Sequence, residues 1–259
     1  MNRRLFIEKT VIGTAGAMLA PASLPFLKGG TVPSPASAVS NNIVYAAESG
    51  NYGKKGIFIL GFLIVGADSS VYEDQLVVLR NTYNYRTRLT YNSNDQYKFY
   101  FTRNVINYFL SSAALSFAAL AITFNDNIQV PPRQFYQGKR DAYVHLLSLA
   151  GLDNTSASVV QVKSQSPFGP SQLYNNDFST VTNGIALQAV NTLNNNLLQT
   201  AGLLTGCIRL DVLGNVKPSS VKYKLTQHLK ESLSVASLAP PMASGEKFQV
   251  FNYYIADKD

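Results

Sequence analysis

The chain has 259 residues, 46% of them hydrophobic, with 22 Lys and Arg against 15 Asp and Glu and a formal net charge of +7. This composition excludes a disordered chain and gives enough length for one α/β domain with a sizeable core. Four basic residues and one acidic residue fall within the first 38 positions, so the remainder carries 18 basic and 14 acidic residues, a net +4. A charge this mild leaves nucleic acid possible but not favoured as a partner.

Residues 1–38 read as an export leader. Arg3-Arg4 followed by Leu5, Phe6, Ile7 and Lys9 resembles a twin-arginine signal. Val11 to Ala20 is a Gly- and Ala-rich apolar run, too short to span a bilayer as a stable anchor. Ala36-Ser37-Ala38 forms a small-residue cleavage site. The expectation is a protein that folds first, is then exported to the periplasm and is trimmed near Ala38, leaving a single domain over residues 39–259.

In that domain Asn42 to Ala47 reads as a short strand, followed by turn chemistry over Glu48-Ser49-Gly50-Asn51-Tyr52-Gly53. Gly56 to Val65, GIFILGFLIV, is nearly continuous in apolar residues and predicts a strand buried on both faces at the centre of a sheet. Asp68-Ser69-Ser70 opens a helix, with Ser70 and Glu73 as a capping box and Val71, Leu76, Val77 and Leu79 as the apolar side. From Tyr83 to Asp95 the chain is polar, and Arg80, Arg86 and Arg88 interleave with Tyr83, Tyr85 and Tyr91. That mixture suits stacking and phosphate contact, or a solvated loop. Gln96 to Ser112 predicts an amphipathic helix with Tyr97, Phe101, Val105, Tyr108 and Phe109 inward, and Leu115 to Phe124 a strand.

Pro131-Pro132 breaks the chain ahead of a helix from Arg133 to Gly151 that carries Tyr136, Tyr143, Leu146 and Leu147. Ala157 to Val162 predicts a strand, Lys163 to Asp177 a long loop, and Gly184 to Val190 another strand. Asn191 to Ile208 is a polar loop running into a dense apolar helix, where Asn194, Asn195 and Asn196 can cap the first turn. Leu197, Leu198, Ala201, Leu204 and Thr205 recur at helical spacing. Gly202 inside a helix costs about 1 kcal/mol relative to alanine, which calls for either close packing or a lost functional side chain. Val216 to Leu238 contains a helix with Pro218 near its start, Pro240-Pro241 ends it, and Phe248 to Ile255 makes a last strand. Strands and helices alternate around one long apolar strand, so the class is α/β with a mixed sheet.

Cys207 is the one cysteine, which rules out an intrachain disulfide and a cysteine-based zinc site, and its place in the apolar helix predicts a buried small hydrophobe. With only His145 and His228, both in helical contexts, a histidine-rich metal site is not expected. Neither G-x-S-x-G nor a glycine-rich nucleotide motif occurs, so neither serine-hydrolase chemistry nor a cofactor is indicated.

Several stretches together resemble the bacterial family known as domain of unknown function 3800, whose fold is ribonuclease H-like. The family's first strand ends in Asp-Glu-Ser-Gly and runs into an apolar strand; here Ala47-Glu48-Ser49-Gly50 precedes GIFILGFLIV. Its Glu-x-Lys element before an aromatic helix falls on Arg88-Leu89-Thr90. Its final Asp-Ser and Leu-Gln-x-Ala-Asp-Leu-x-x-Gly correspond to Asn191-Thr192 and to Leu198-Gln199-Thr200-Ala201-Gly202-Leu203-Leu204-Thr205-Gly206. The resemblance implies a ribonuclease H-like mixed sheet flanked by helices. Nucleases of that fold gather carboxylates around two divalent metals about 3.5–4 Å apart. This chain departs from that pattern. Ala47, Arg88, Asn191 and Gly202 stand where the resemblance implies acids, Gln161 replaces another, and Glu48 survives beside Gln199.

Ala47, Glu48, Arg88, Gln161, Asn191, Gln199 and Gly202 are therefore the expected vestigial cleft, with no catalytic, cofactor or metal residues assigned. The expected function is that of an exported, catalytically inactive relative whose remodelled cleft binds a ligand or protein partner. The alternatives are a metal-dependent nuclease using displaced acids such as Asp68, Asp95, Asp126 or Asp177, and a structural cell-envelope protein.

Overall fold

The computed structural model describes residues 42–66, 68–89, 96–124, 132–152, 157–163, 178–182, 184–214 and 216–253. Arg3, Arg4, Ala36 and Ala38 of the leader lie outside the described residues, as do Tyr91, Asp95, Asp126, Asp177 and most of the Lys163 to Asp177 loop. The elements in chain order are β1 (Asn42–Ser49), β2 (Gly56–Val65), α1 (Ser69–Thr82), α2 (Gln96–Ser111), β3 (Leu115–Phe124), α3 (Pro132–Leu149), β4 (Ala157–Lys163), β5 (Ala186–Val190), α4 (Asn196–Leu213), α5 (Val221–Leu233), β6 (Met242–Ser244) and β7 (Phe248–Tyr253). A single 3-10 turn, Thr192–Asn194, joins β5 to α4.

The strands form one seven-stranded sheet in the order β5-β4-β1-β2-β3-β7-β6. β1, β2 and β3 make an antiparallel meander. β4 pairs parallel with β1, β5 pairs parallel with β4, and β7 pairs parallel with β3. β2 is the central strand, as its ten-residue apolar run predicts. Its residues divide by the two-residue period of a strand. Ile57, Ile59, Leu63 and Val65 face one core with α1, α2, α4 and α5, while Phe58, Leu60, Phe62 and Ile64 face a second core under α3. Covering both faces is what a continuous apolar strand requires.

α4 lies closest to the sheet. A Cβ at Gly61 would fall onto the Thr205 hydroxyl and 2.6 Å from Phe117 Cζ, so glycine at mid-strand lets the helix approach. Leu197, Leu198, Ala201, Leu203, Leu204, Cys207 and Ile208 are all buried. The helix is thus enclosed on almost every side over its first three turns, more than the one buried face the spacing suggests.

Several boundaries and roles differ from the expectation. β1 runs on through Glu48 and Ser49, which the sequence places in a turn. Asp68 caps α1 by accepting from Ser70 N at 2.9 Å, and the Glu73 side chain accepts from Asn196 N and Leu197 N on α4 instead of forming a Ser70–Glu73 capping box. On α1 only Leu76 is fully buried, whereas Val71 and Val77 are 54% and 42% exposed. Tyr136 on α3 is exposed, but Tyr143, Leu146 and Leu147 are buried. β6, three residues long, has no sequence signature and forms only by pairing with β7.

Candidate functional site: a basic cleft at the strand ends

The C-terminal ends of β1 and β4 lie side by side, with Ala46 opposite Val162. In open α/β sheets this is where ligands bind. A cleft of about 600 Å³ opens there, walled by the ends of β1 and β4, by Arg88 and Leu89 from the segment after α1, and by one face of α4. Gln199, Gly202, Gly206, Arg209 and Leu213 recur on that helix face and all line the cleft.

The floor is small. Gly202 sits over β1, where an added Cβ would meet only Ala47 Cβ, at 4.0 Å. Close packing therefore does not require glycine at this position, since an added Cβ would make only an ordinary van der Waals contact with Ala47. At Gly50 the opposite holds. Its φ is +97°, and a Cβ would strike the Ile57 carbonyl oxygen and lie 3.1 Å from Arg209 Nε. Glycine is needed there both for the left-handed backbone and for the arginine's approach.

Glu48 is the only acid among the described residues that line the cleft. It lies one residue beyond Ala47 and so takes the opposite face of β1, toward α3. Lys139 Nζ donates to Glu48 Oε2 at 2.5 Å and Tyr143 Oη donates to Oε1 at 2.9 Å. The Lys139 side chain is 3% exposed. Burial pulls its pKa below the ordinary lysine value, against the opposing pull of Glu48, and the ammonium sits over the Phe58 and Phe135 rings at 5.6 and 5.8 Å. Glu48 is thus the counter-ion of a buried lysine, a role with no local sequence signal because the partners are 91 and 95 residues away.

Gln199 holds the wall in place. Its Oε1 accepts from Arg80 Nη2 at 2.7 Å and from Leu89 N at 2.6 Å, and its Nε2 donates to the carbonyls of Thr192 and Leu193 at 2.6 and 3.3 Å. One amide side chain thereby joins α1, the Arg88–Leu89 segment and the 3-10 turn to α4. Arg80 also donates to the Tyr85 and Thr87 carbonyls at 3.2 and 2.7 Å, to Asn196 Oδ1 through Nε, and lies over the Tyr85 and Phe101 rings. Burial lowers its pKa from the usual arginine value. Arg80 is a structural staple and does not join a surface that stacks bases. Glu73 completes this network by accepting from Asn196 N and Leu197 N at 2.6 and 3.0 Å, which caps α4 together with Asn195 Oδ1 at Leu198 N.

Of the expected cleft residues, Ala47, Glu48, Arg88, Gln199 and Gly202 line this one space. Gln161 and Asn191 do not. Gln161 accepts from Asn195 Nδ2 at 3.1 Å, and exposed Asn191 caps the 3-10 turn by accepting from Leu193 N at 3.0 Å. Among the displaced acids proposed as an alternative, Asp68 is the α1 cap, and the other three lie outside the described residues. The sequence reading missed Lys163, Arg209 and Lys222, all of which line the cleft. For Arg209 the signal was present: it lies seven residues after Gly202 and three after Gly206, on the same helix face.

The donors that the described residues bring to the cleft do not fit a pair of divalent metals. Ala47 and Gly202 offer no side-chain oxygen, Glu48 already serves Lys139 and Tyr143, and Arg88, Arg209, Lys163 and Lys222 add positive charge to the lining. Among the described residues no group of three or more His, Cys, Asp and Glu side chains could hold a metal ion. In the same residues no helix is long and apolar enough to cross a membrane.

No family model and no curated protein matches the chain. Similar solved structures include ribonuclease HII in the PCNA:RNase HII complex from Archaeoglobus fulgidus, 11% identical, with a TM-score of 0.42 over 74% of this chain and 88% of that one. Ribonuclease H2 from Pyrococcus horikoshii OT3 is 9% identical, with a TM-score of 0.40 over 73% of this chain and 99% of that one. A variant of Bst-RNase HIII is 10% identical, with a TM-score of 0.35 over 90% of this chain and 66% of that one. By its own strand order and directions, an antiparallel β1-β2-β3 meander extended by parallel β4 and β5 and flanked by helices, the chain has the ribonuclease H-like α/β fold expected from the sequence.

Proposed function

We propose that this protein is an exported, non-catalytic ribonuclease H-like binding module, a degenerate relative of the domain of unknown function 3800 family, whose cleft holds a ligand or partner instead of a metal pair. One observation carries the reading: among the described residues Gly202 and Ala47 face each other with no carboxylate between them, and the acid of that lining, Glu48, is committed to a buried lysine. Two divalent ions bring about four positive charges into a small volume and need anionic ligands to offset their dehydration. Cations around the cleft oppose this further.

The test is calorimetric titration with magnesium and with manganese, beside a cleavage assay on single- and double-stranded DNA and RNA. The expected result is no tight metal binding and no cleavage. Tight binding, or cleavage abolished by Glu48→Gln, overturns the reading. A folded Ala47→Asp, Arg88→Glu, Gly202→Asp triple variant should gain manganese affinity, because those three positions border one space. Export rests on Arg3-Arg4 and Ala36-Ser37-Ala38. Replacing both arginines with lysine should leave the precursor in the cytoplasm, and unchanged periplasmic delivery would remove this part of the proposal.

A further inference from the structure

The cleft carries an unsolved charge problem. Arg88 Nε and Arg209 Nε are both buried from solvent and have no hydrogen-bond partner among the described residues. Leaving a charged donor desolvated and unpaired is costly, and native proteins pair such groups. Both side chains line the same cleft, one from each wall, together with Lys163 and Lys222, and the sole acid of the described lining is already paired with Lys139. The Arg209 position is built, since Gly50 leaves room for its guanidinium where any side chain would crowd it.

We propose that the cleft binds a small organic phosphate monoester, its phosphate held between Arg88 and Arg209. This deepens the binding-module reading and rests on it. Both arginines are only half-buried, so the terminal N–H groups of each guanidinium can meet an oxyanion bidentately. Three cationic side chains on the wall, Arg88, Arg209 and Lys163, favour a dianion over a monocarboxylate, and a phosphate monoester carries about −1.5 to −2 charges at neutral pH. The space, about 600 Å³, is of small-molecule size. Tyr143, Leu89, Leu198 and Leu210 give the rest of the lining an apolar and aromatic character that suits an organic body beyond the phosphate.

The experiment is calorimetric titration of the folded protein with AMP, inorganic phosphate, acetate and a single-stranded oligonucleotide lacking a terminal phosphate. AMP should bind tightest, inorganic phosphate more weakly and acetate weakest, with AMP affinity falling as salt rises. Arg88→Ala and Arg209→Ala should each lower AMP affinity at least about tenfold, and Arg209→Lys, which keeps the charge but loses the fork, should fall between. Gly202→Asp keeps both arginines and adds an acid to the cleft lining, so in a variant shown to be folded it should also weaken AMP binding. No binding of AMP or phosphate at millimolar concentration, or AMP binding indifferent to Arg88, Arg209 and Gly202, overturns the proposal. Binding of the oligonucleotide alone overturns it in favour of a nucleic-acid surface. The non-catalytic reading fails separately, on metal binding and cleavage.

Discussion

The first turn of α4 and the cleft face that runs on from it to Arg209 treat buried polar groups in opposite ways. At the first turn Glu73, Arg80, Asn196 and Gln199 meet one another and the free backbone ends, and Gln199 alone bonds to Arg80, Leu89, Thr192 and Leu193. In the cleft, Arg88 and Arg209 turn donors inward that nothing in the described chain accepts. Both regions hold half-buried arginines, Arg80 in one and Arg88 and Arg209 in the other, so residue type does not separate them. Hydrogen-bond satisfaction does: a closed network fixes structure, and an open one leaves donors for which the described chain supplies no acceptor.

The comparison can be scaled first by the apolar floor that both regions share. Leu198 is 2% exposed, and Leu198→Ala should cost about 2–5 kcal/mol in urea denaturation. A loss below about 0.5 kcal/mol would remove α4 from the core. Next comes the closed network. Arg80→Ala strands acceptors on Tyr85, Thr87 and Gln199 and removes packing on two rings. Half-buried, it should cost about 2–3 kcal/mol.

Arg209→Ala is the sharpest contrast. Removing a cation whose Nε has no partner should leave stability within about 0.5 kcal/mol of wild type or raise it. A loss matching that of Arg80→Ala would show that Arg209 is satisfied in the folded protein, and the contrast would collapse.

The smallest effect concerns the far end of α4, where Asp211 accepts from Lys230 Nζ, Ser237 Oγ and Leu238 N at 2.9, 2.8 and 2.7 Å. Burial acts to raise its pKa, but these donors outweigh it and hold the carboxyl below the usual value of 3.8. A depressed folded pKa contributes stability that is present above the unfolded value and lost as pH falls through the folded one. Stability should therefore decline as pH drops through and below that range, and Asp211→Asn should flatten the acid limb of a denaturation-midpoint profile. An unchanged acid limb would show that Asp211 is equally protonated in both states.

The sequence by itself determined the elements whose signal is local burial. Gly56–Val65 and Leu115–Phe124 appear as read, because long, nearly continuous apolar runs are covered on both sides when they lie at the middle of a sheet. The asparagines before α4 supplied its cap because capping acts across three residues. Only the tertiary structure decided the fate of the charges. Glu73 reads as a cap for its own helix and caps another 123 residues away. Arg80 reads as part of a phosphate-binding surface and is consumed inside the fold, whereas Arg209 read as nothing and lines the cleft. Glu48 keeps its place in a motif yet serves Lys139. Apolar burial follows a period written along the chain, while a buried charge must find its partner across the fold, and no local pattern encodes which one it will be.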